Sequence, residues 1–353
     1  MKEISLCMIV KDEEEIIGRC LESVKDIVDE IVIIDTGSTD KTKEIVSKYT
    51  DKIYDFEWVD DFSKARNFSF SKATKDYILW LDADDVLLEE DKKKFKKLKS
   101  EIDGSIDIYM FKYNYAFDEN GNAILVQERE RLLKRERNYQ WVSPIHEVII
   151  PEGKIKNTDI VITRKKEEVK DVRRNLKVFE KMKKDGIDLD DRQQYCYAKE
   201  LFFLNDIEEA IIEYQNFINT YINNYKQEEY LLYQAILELS DCYKRKGEIE
   251  LELETLMLII KNQIPKSECL CRIGDVFIRK KYYKEAVYWL ELATKSEEYE
   301  PNVDYKDFIP YISLGVCYFW LNDKEKARYY NELAEKIKPD NKTYLDNKKI
   351  CEM

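Results

Sequence analysis

The sequence predicts an α/β domain with a mostly parallel sheet over residues 1–165, followed by an all-α repeat domain over residues 166–353. Three observations predict it. Short β-rich apolar runs alternate with amphipathic stretches from Ile4 to about Ile162, the pattern of a parallel sheet covered by helices on both faces. Polar or acidic turns come after the apolar runs, at the strand ends where ligands sit in such sheets. After about Lys165 the strand signals stop, and the rest of the chain is helical and repetitive.

Ile4–Val10 reads as a buried strand, followed by a helix over roughly Glu13–Val28. Glu30–Asp35 is a second continuous apolar strand. Thr36–Asp40 is a polar turn, in which Thr39 or Asp40 is expected to cap a helix running to about Lys48. Lys52–Trp58 reads as a third strand, Ser63–Lys72 as a helix and Tyr77–Leu81 as a fourth strand that stops at a run of acids. Asp107–Phe117 and Ala123–Lys134 flank Asp118-Glu-Asn-Gly121, a strong hairpin signal. Trp141–Ile150 is expected to contain a further extended segment.

In the second half, Tyr197-Ala198, Leu239-Ser240, Ile273-Gly274 and Leu314-Gly315 each place a large apolar residue before a small one. Leu201, Tyr243, Phe277 or Tyr318 comes three residues later. Ala210, Ala286 and Ala327 recur twelve residues after the small position in three units, and Ala293 and Ala334 seven further on in two. This register resembles the tetratricopeptide repeat, with small residues where paired helices approach closely. The second unit departs from it by carrying Glu252 at the small position.

Charged residues make up 37% of the 353 and the net charge is −13, which lacks the basic footprint of a nucleic-acid binder. No window approaches the roughly 18 to 20 apolar residues of a membrane span, so no integral membrane segment is expected. The start has too short an apolar run for a signal peptide and no cleavage site. The eight cysteines are scattered without a CxxC pair, and Cys269 and Cys271 form a lone CxC. Reduced structural cysteines in a cytoplasmic protein are the expected reading.

The sharpest chemical feature is Leu81-Asp82-Ala83-Asp84-Asp85 at the end of an apolar strand. Three carboxylates there are costly unless something positive sits among them. Oxygen-only ligands suit a hard divalent cation that shares its shell with substrate phosphates. An acidic turn capping the next helix is the plainer alternative. Asp35 ends the second strand in the same way, so two acids project from one sheet edge.

Together these residues resemble the family 2 glycosyltransferases, whose catalytic domain has the GT-A fold, over roughly residues 1–160. The resemblance rests on Cys7-Met-Ile-Val-Lys-Asp-Glu13, Ile34-Asp35-Thr-Gly-Ser-Thr-Asp40, Ala65-Arg66-Asn67 and Leu81-Asp-Ala-Asp-Asp85, in that order. It implies that Asp35 contacts the uracil or ribose of a UDP-sugar, and Asp82 the ribose or metal. Asp84 would be the principal protein ligand of Mn²⁺ or Mg²⁺ on the diphosphate. Arg66 and Asn67 would sit near the nucleotide, and backbone around Val10 and Lys11 would frame the base, with Asp12 or Glu13 nearby. The lone histidine, His146, stands beside Glu147 late in the domain, where such folds supply a further metal or diphosphate ligand. Arg131 is a candidate to meet the departing diphosphate, and Trp58 with Asp60-Asp61-Phe62 to line the sugar pocket. An inverting transfer needs a base for the acceptor's proton; the candidates are Glu147 first and Asp85 second.

A GT-A domain fused to such repeats, with Phe-Ser-Lys-Ala-Arg-Asn67 and Pro-Ile-His-Glu147, resembles a bacterial group that glycosylates peptides or proteins. The sublancin-type S-glycosyltransferases, which modify a bacteriocin, belong to it. The resemblance implies transfer of a hexose or N-acetylhexosamine, from UDP-glucose or UDP-N-acetylglucosamine, to a polypeptide Cys, Ser or Thr. A polysaccharide or lipid-linked glycan acceptor is the alternative, and an inactive repeat scaffold the third. The repeat faces could hold a peptide or form a homodimer.

Overall fold

The computed structural model describes residues 2–117, 123–165, 171–223, 229–298 and 302–352. By internal contacts the chain divides into Met1–Ile187 and Asp188–Met353. The Asp118–Gly121 turn lies outside the described residues.

The first unit is built on β1 (Ile4–Val10), β2 (Glu30–Asp35), β3 (Ile53–Asp55), β4 (Tyr77–Trp80), β5 (Asp85–Leu87), β6 (Ile108–Phe117), β7 (Ala123–Lys134) and β10 (Ile155–Arg164). They form one sheet in the order β3-β2-β1-β4-β7-β6-β10-β5. Four neighbours, β3 to β4, are parallel; β7 runs against both β4 and β6, β10 is parallel to β6, and β5 runs against β10. The two short strands β8 (Trp141–Val142) and β9 (Val148–Ile149) pair with each other.

The continuous apolar strands are explained by a core on each face, because successive side chains point opposite ways. Leu6, Met8, Ile33 and Leu79 join one core with Ile17 and Leu21 of α1 (Ile17–Val24) and Phe95 and Leu98 of α4 (Glu89–Glu101). Cys7, Val32, Ile34, Ile78 and Trp80 join the other, with Phe70 of α3 (Phe62–Lys72).

Two elements differ from the sequence expectation. Helix α1 starts at Ile17 rather than near Glu13, because Glu13 N–H donates to Thr42 Oγ1 and Glu14 N–H to Asp40 Oδ2, which holds the acidic stretch in a turn. The next helix, α2 (Thr42–Val46), has Lys41 at its cap position without a side-chain cap bond, although Asp40 Oδ1 does accept from Thr42 N–H. The extended segment expected within 141–150 is present as β8 and β9, with a turn between them in which Ser143 (φ 77°) and His146 (φ 51°) take left-handed backbone around Pro144.

After β10 comes α5 (Arg174–Lys184), which counts with the first unit. The second unit comprises α6 (Asp191–Phe203), α7 (Ile207–Asn223), α8 (Glu229–Lys246), α9 (Ile249–Asn262), α10 (Ser267–Arg279), α11 (Tyr283–Ala293), α12 (Val303–Lys306), α13 (Phe308–Trp320), α14 (Lys324–Ile337) and α15 (Lys342–Glu352). Four hairpins, α6–α7, α8–α9, α10–α11 and α13–α14, carry the four sequence units.

The small residues are small because their partner helices touch them. A Cβ on Gly274 would stand 2.8 Å from Leu290 Cγ, and one on Gly315 2.6 Å from Asn331 Oδ1. The exceptional Glu252 is buried and ion-paired to Arg279 of α10. Each hairpin also turns in the same way. The residue seven after the small position, Asn205, Gly247, Lys281 or Asn322, has φ between 62° and 74°. The next N–H donates to the carbonyl of Leu201, Tyr243, Phe277 or Tyr318 at 2.8–3.0 Å. That left-handed residue and six-to-one bond close a helix C-terminus and release the chain into the next helix.

Candidate active site

Strands β1, β2 and β4 are parallel, so they end at one sheet edge. The two reversals through β7 cancel, so β10 ends there too. Val10, Asp35, the Asp82–Asp85 turn and Arg164 therefore share the carboxyl edge. The Val10 carbonyl accepts from Thr36 N–H at 3.0 Å, and Asp12 Oδ1 accepts from Thr39 N–H at 2.7 Å. These bonds lace the loop after β1 to the loop after β2. Asp35 Oδ1 accepts from the N–H groups of Gly37 and Ser38, at 3.0 and 2.9 Å, with Lys43 Nζ at 3.6 Å. Its other oxygen, Oδ2, is buried without a hydrogen-bond partner among the described residues.

In the Asp82–Asp85 turn every acid has its own arginine. Asp82 Oδ1 accepts from Arg66 Nη2 at 2.8 Å, Asp84 Oδ2 from Arg164 Nε at 2.8 Å, and Asp85 Oδ2 from Arg131 Nη1 at 2.9 Å. Burial would raise the Asp82 carboxyl, but Arg66 and then Arg131 hold it well below the usual carboxylate range. Burial pushes the Asp85 carboxyl up, against the pull of Arg131.

The inner pair corrects two expectations. Asp85 and Arg131 have side chains 0% and 1% exposed, so neither a base role for Asp85 nor contact of Arg131 with a departing diphosphate fits their place. Arg131 instead lies over the Trp80 ring at 3.8 Å and beside Tyr113 at 4.6 Å, and reaches the Trp80 carbonyl. Asp85 Oδ2 also accepts from Asp82 N–H at 3.0 Å. The pair is a buried brace for the turn that presents Asp82 and Asp84.

Arg66, on α3, also donates through Nε to Glu147 Oε1 at 2.5 Å. Its guanidinium lies 5.2 Å from the Trp80 ring and 4.8 Å from that of Trp141, both buried. Burial opposes its charge, but Asp82 and Glu147 outweigh that and keep it protonated. Asn67, expected near the nucleotide, has both ends of its amide on the Trp141 backbone, Nδ2 to O at 2.9 Å and N–H to Oδ1 at 2.8 Å. It fixes the strand leading to Glu147. His146 stacks on Phe179 of α5 with ring centroids 6.2 Å apart. Trp58 donates to Asp60 and packs edge-on against Phe62, while Lys181 of α5 pairs with Asp60.

Among the described residues no three of His, Cys, Asp or Glu cluster closely enough to hold a metal ion, so Asp82, Asp84 and His146 are not gathered as a ligand trio. Asp82 and Asp84 alone supply hard oxygen donors, which fits a cation that takes most of its shell from phosphates and water rather than a protein cage. Sequence reasoning misses Arg164 and the Arg66–Glu147 link. The alternating Ile155–Arg164 run is the signal available for the first; nothing local signals the second.

Residues 5–159 match the family described as Glycosyl transferase family 2. A TPR repeat-containing protein of Synechococcus elongatus is 48% identical over 103 residues, 29% of this chain and 25% of its own. The SPbeta prophage-derived glycosyltransferase SunS of Bacillus subtilis is 25% identical over 308 residues, 83% of this chain and 68% of its own. The lipopolysaccharide core biosynthesis glycosyltransferase LpsC of Rhizobium meliloti is 27% identical over 44% of this chain and 59% of its own. The chain thus spans a quarter of the first relative and about two thirds of the second. It carries a family 2 glycosyl transferase domain with a GT-A-type sheet, joined to tetratricopeptide-like helical repeats.

Proposed function

We propose that the protein is an inverting glycosyltransferase that moves a hexose or N-acetylhexosamine from a UDP-sugar to a Cys, Ser or Thr side chain of a peptide or protein. The observation that carries this reading is the convergence on one sheet edge of Asp35, with its partnerless buried oxygen, and the Asp82 and Asp84 carboxylates. Asp35 Oδ2 accepts a hydrogen bond from uracil or ribose. Asp82 and Asp84 hold Mn²⁺ or Mg²⁺, which when bound neutralises the leaving diphosphate. Glu147 takes the acceptor's proton as the acceptor oxygen or sulfur bonds to the anomeric carbon. The bond from that carbon to the phosphate oxygen breaks, and UDP leaves with the electron pair.

A polypeptide acceptor is supported by the resemblance of Phe-Ser-Lys-Ala-Arg-Asn67 and Pro-Ile-His-Glu147 to the peptide-glycosylating group, and the match to the glycosyltransferase SunS, over 83% of this chain, extends beyond the family 2 domain. Stacked helical repeats offer a surface long enough for an extended chain. The LpsC match favours a second reading, a glycan acceptor, but it covers only 44% of the chain. Hydrolysis of UDP-sugars, read by mass in Mn²⁺, Mg²⁺ or EDTA, tests the donor half. Metal-dependent turnover of one donor, lost in Asp84→Ala with the fold intact, is expected. Full activity of Asp84→Ala in metal-free buffer would sink the cation role, and no turnover or UDP binding at all would leave a scaffold.

A further inference from the structure

We infer that Arg164 is a diphosphate-binding residue of the donor site, carried into place by β10. This deepens the donor reading above and rests on it. The guanidinium is tied to Asp84 by Nε alone. Neither terminal nitrogen donates to a described residue, so the Nη fork is open. The side chain is 33% exposed, against 16% for Asp84 and 1% for Arg131. Of the three arginines on the acid turn, Arg131 is sealed inside. Arg66 is enclosed by two tryptophan rings and engaged at both Nε and Nη2. Among the three, Arg164 combines a fixed position with free donors.

The fixing is twofold. Arg164 stands in register with Asp85 across the β10–β5 ladder, and Lys165 N–H donates to the Asp84 carbonyl at 2.8 Å. The backbones carrying Asp84 and Arg164 are thus bonded to each other, and the ion pair holds the side chain on top. A planar fork with its two ends open matches two oxygens of a phosphate, which a lysine cannot do.

Isothermal calorimetry of the full chain with UDP and with uridine, in EDTA, tests this. Arg164→Gln is expected to weaken UDP about tenfold, or about 1.4 kcal/mol, and leave uridine unchanged. Arg164→Lys should recover part of the loss. Asp84→Asn, which releases the guanidinium, should tighten UDP in EDTA. Equal weakening of UDP and uridine, or no change in either, would overturn the assignment. Binding of UDP by the wild type only when Mn²⁺ is present would also overturn it, while leaving the donor reading standing. Failure of the wild type to bind UDP under any condition would remove both.

Discussion

Asp82 and Glu147 are held by one guanidinium: Arg66 donates Nη2 to the first and Nε to the second. A residue proposed to hold the cation and the residue proposed to take the acceptor's proton thus have a common anchor. Glu147→Gln keeps the size and one acceptor oxygen but removes the base. Its kcat should fall by about 10² to 10⁴, the usual contribution of a general base, with donor KM within about threefold of wild type. Steady-state kinetics with a saturating acceptor check this. An unchanged kcat would dismiss Glu147.

Breaking the sealed Asp85–Arg131 pair should be costly. Arg131→Met leaves the buried Asp85 carboxyl without its cation, at a cost of about 3 to 5 kcal/mol. The double variant Asp85→Asn, Arg131→Met should recover much of that loss. Urea midpoints of the wild type, Arg131→Met, Asp85→Asn and the double variant read the coupling, and strict additivity would contradict it.

Glu30 makes the first unit acid-sensitive. Burial raises its carboxyl, but Lys52, Ser5 and Thr74 together lower it from the ordinary 4.5 to about 2. As pH falls below about 4.5 the unfolded chain takes up this proton first, so stability is lost down to about pH 2. Glu30→Gln should be less stable at pH 7 by on the order of 2 kcal/mol and lose less on acidification. Urea curves at about pH 7, 4 and 3 decide, and parallel pH profiles for the two proteins would refute it.

The repeated turn gives a stabilising substitution. Lys281 sits at φ 62°, where Gly247 serves in the second hairpin. A left-handed non-glycine residue costs roughly 1 kcal/mol, so Lys281→Gly should gain about that much. Gly247→Ala should lose a similar amount through its backbone alone, since nothing lies within 4 Å of its would-be Cβ. Thermal unfolding of both variants checks the pair, and opposite signs are the outcome that matters.

Much of the architecture is legible in the sequence because apolar runs and small residues at fixed spacing are local signals. The edge acids Asp35, Asp82 and Asp84 stand out because carboxylates at the end of an apolar strand contradict their surroundings. The arginines do not. Arg131 and Arg164 occupy ordinary charged runs, and only the crossing of β7 and β10 decides that one is sealed against Trp80 and the other left half-open. Asn67 is illegible for a similar reason: its partner, the Trp141 backbone, lies 74 residues away, where no short motif reaches. Asp85 looks like its two acidic neighbours in the sequence, and its place as the first residue of β5 turns it inward.

Strand β5 comes directly after the acid turn, yet its neighbour in the sheet is β10, which ends at Arg164. A ribosome delivers roughly 5 to 20 residues per second, so the acids leave the exit tunnel several seconds before the strand that seats them. A nascent chain stalled ahead of residue 164 holds every carboxylate of the site but not the backbone frame around Asp84. The turn that carries Asp84 is therefore framed only once β10, the last strand of the sheet, has followed it.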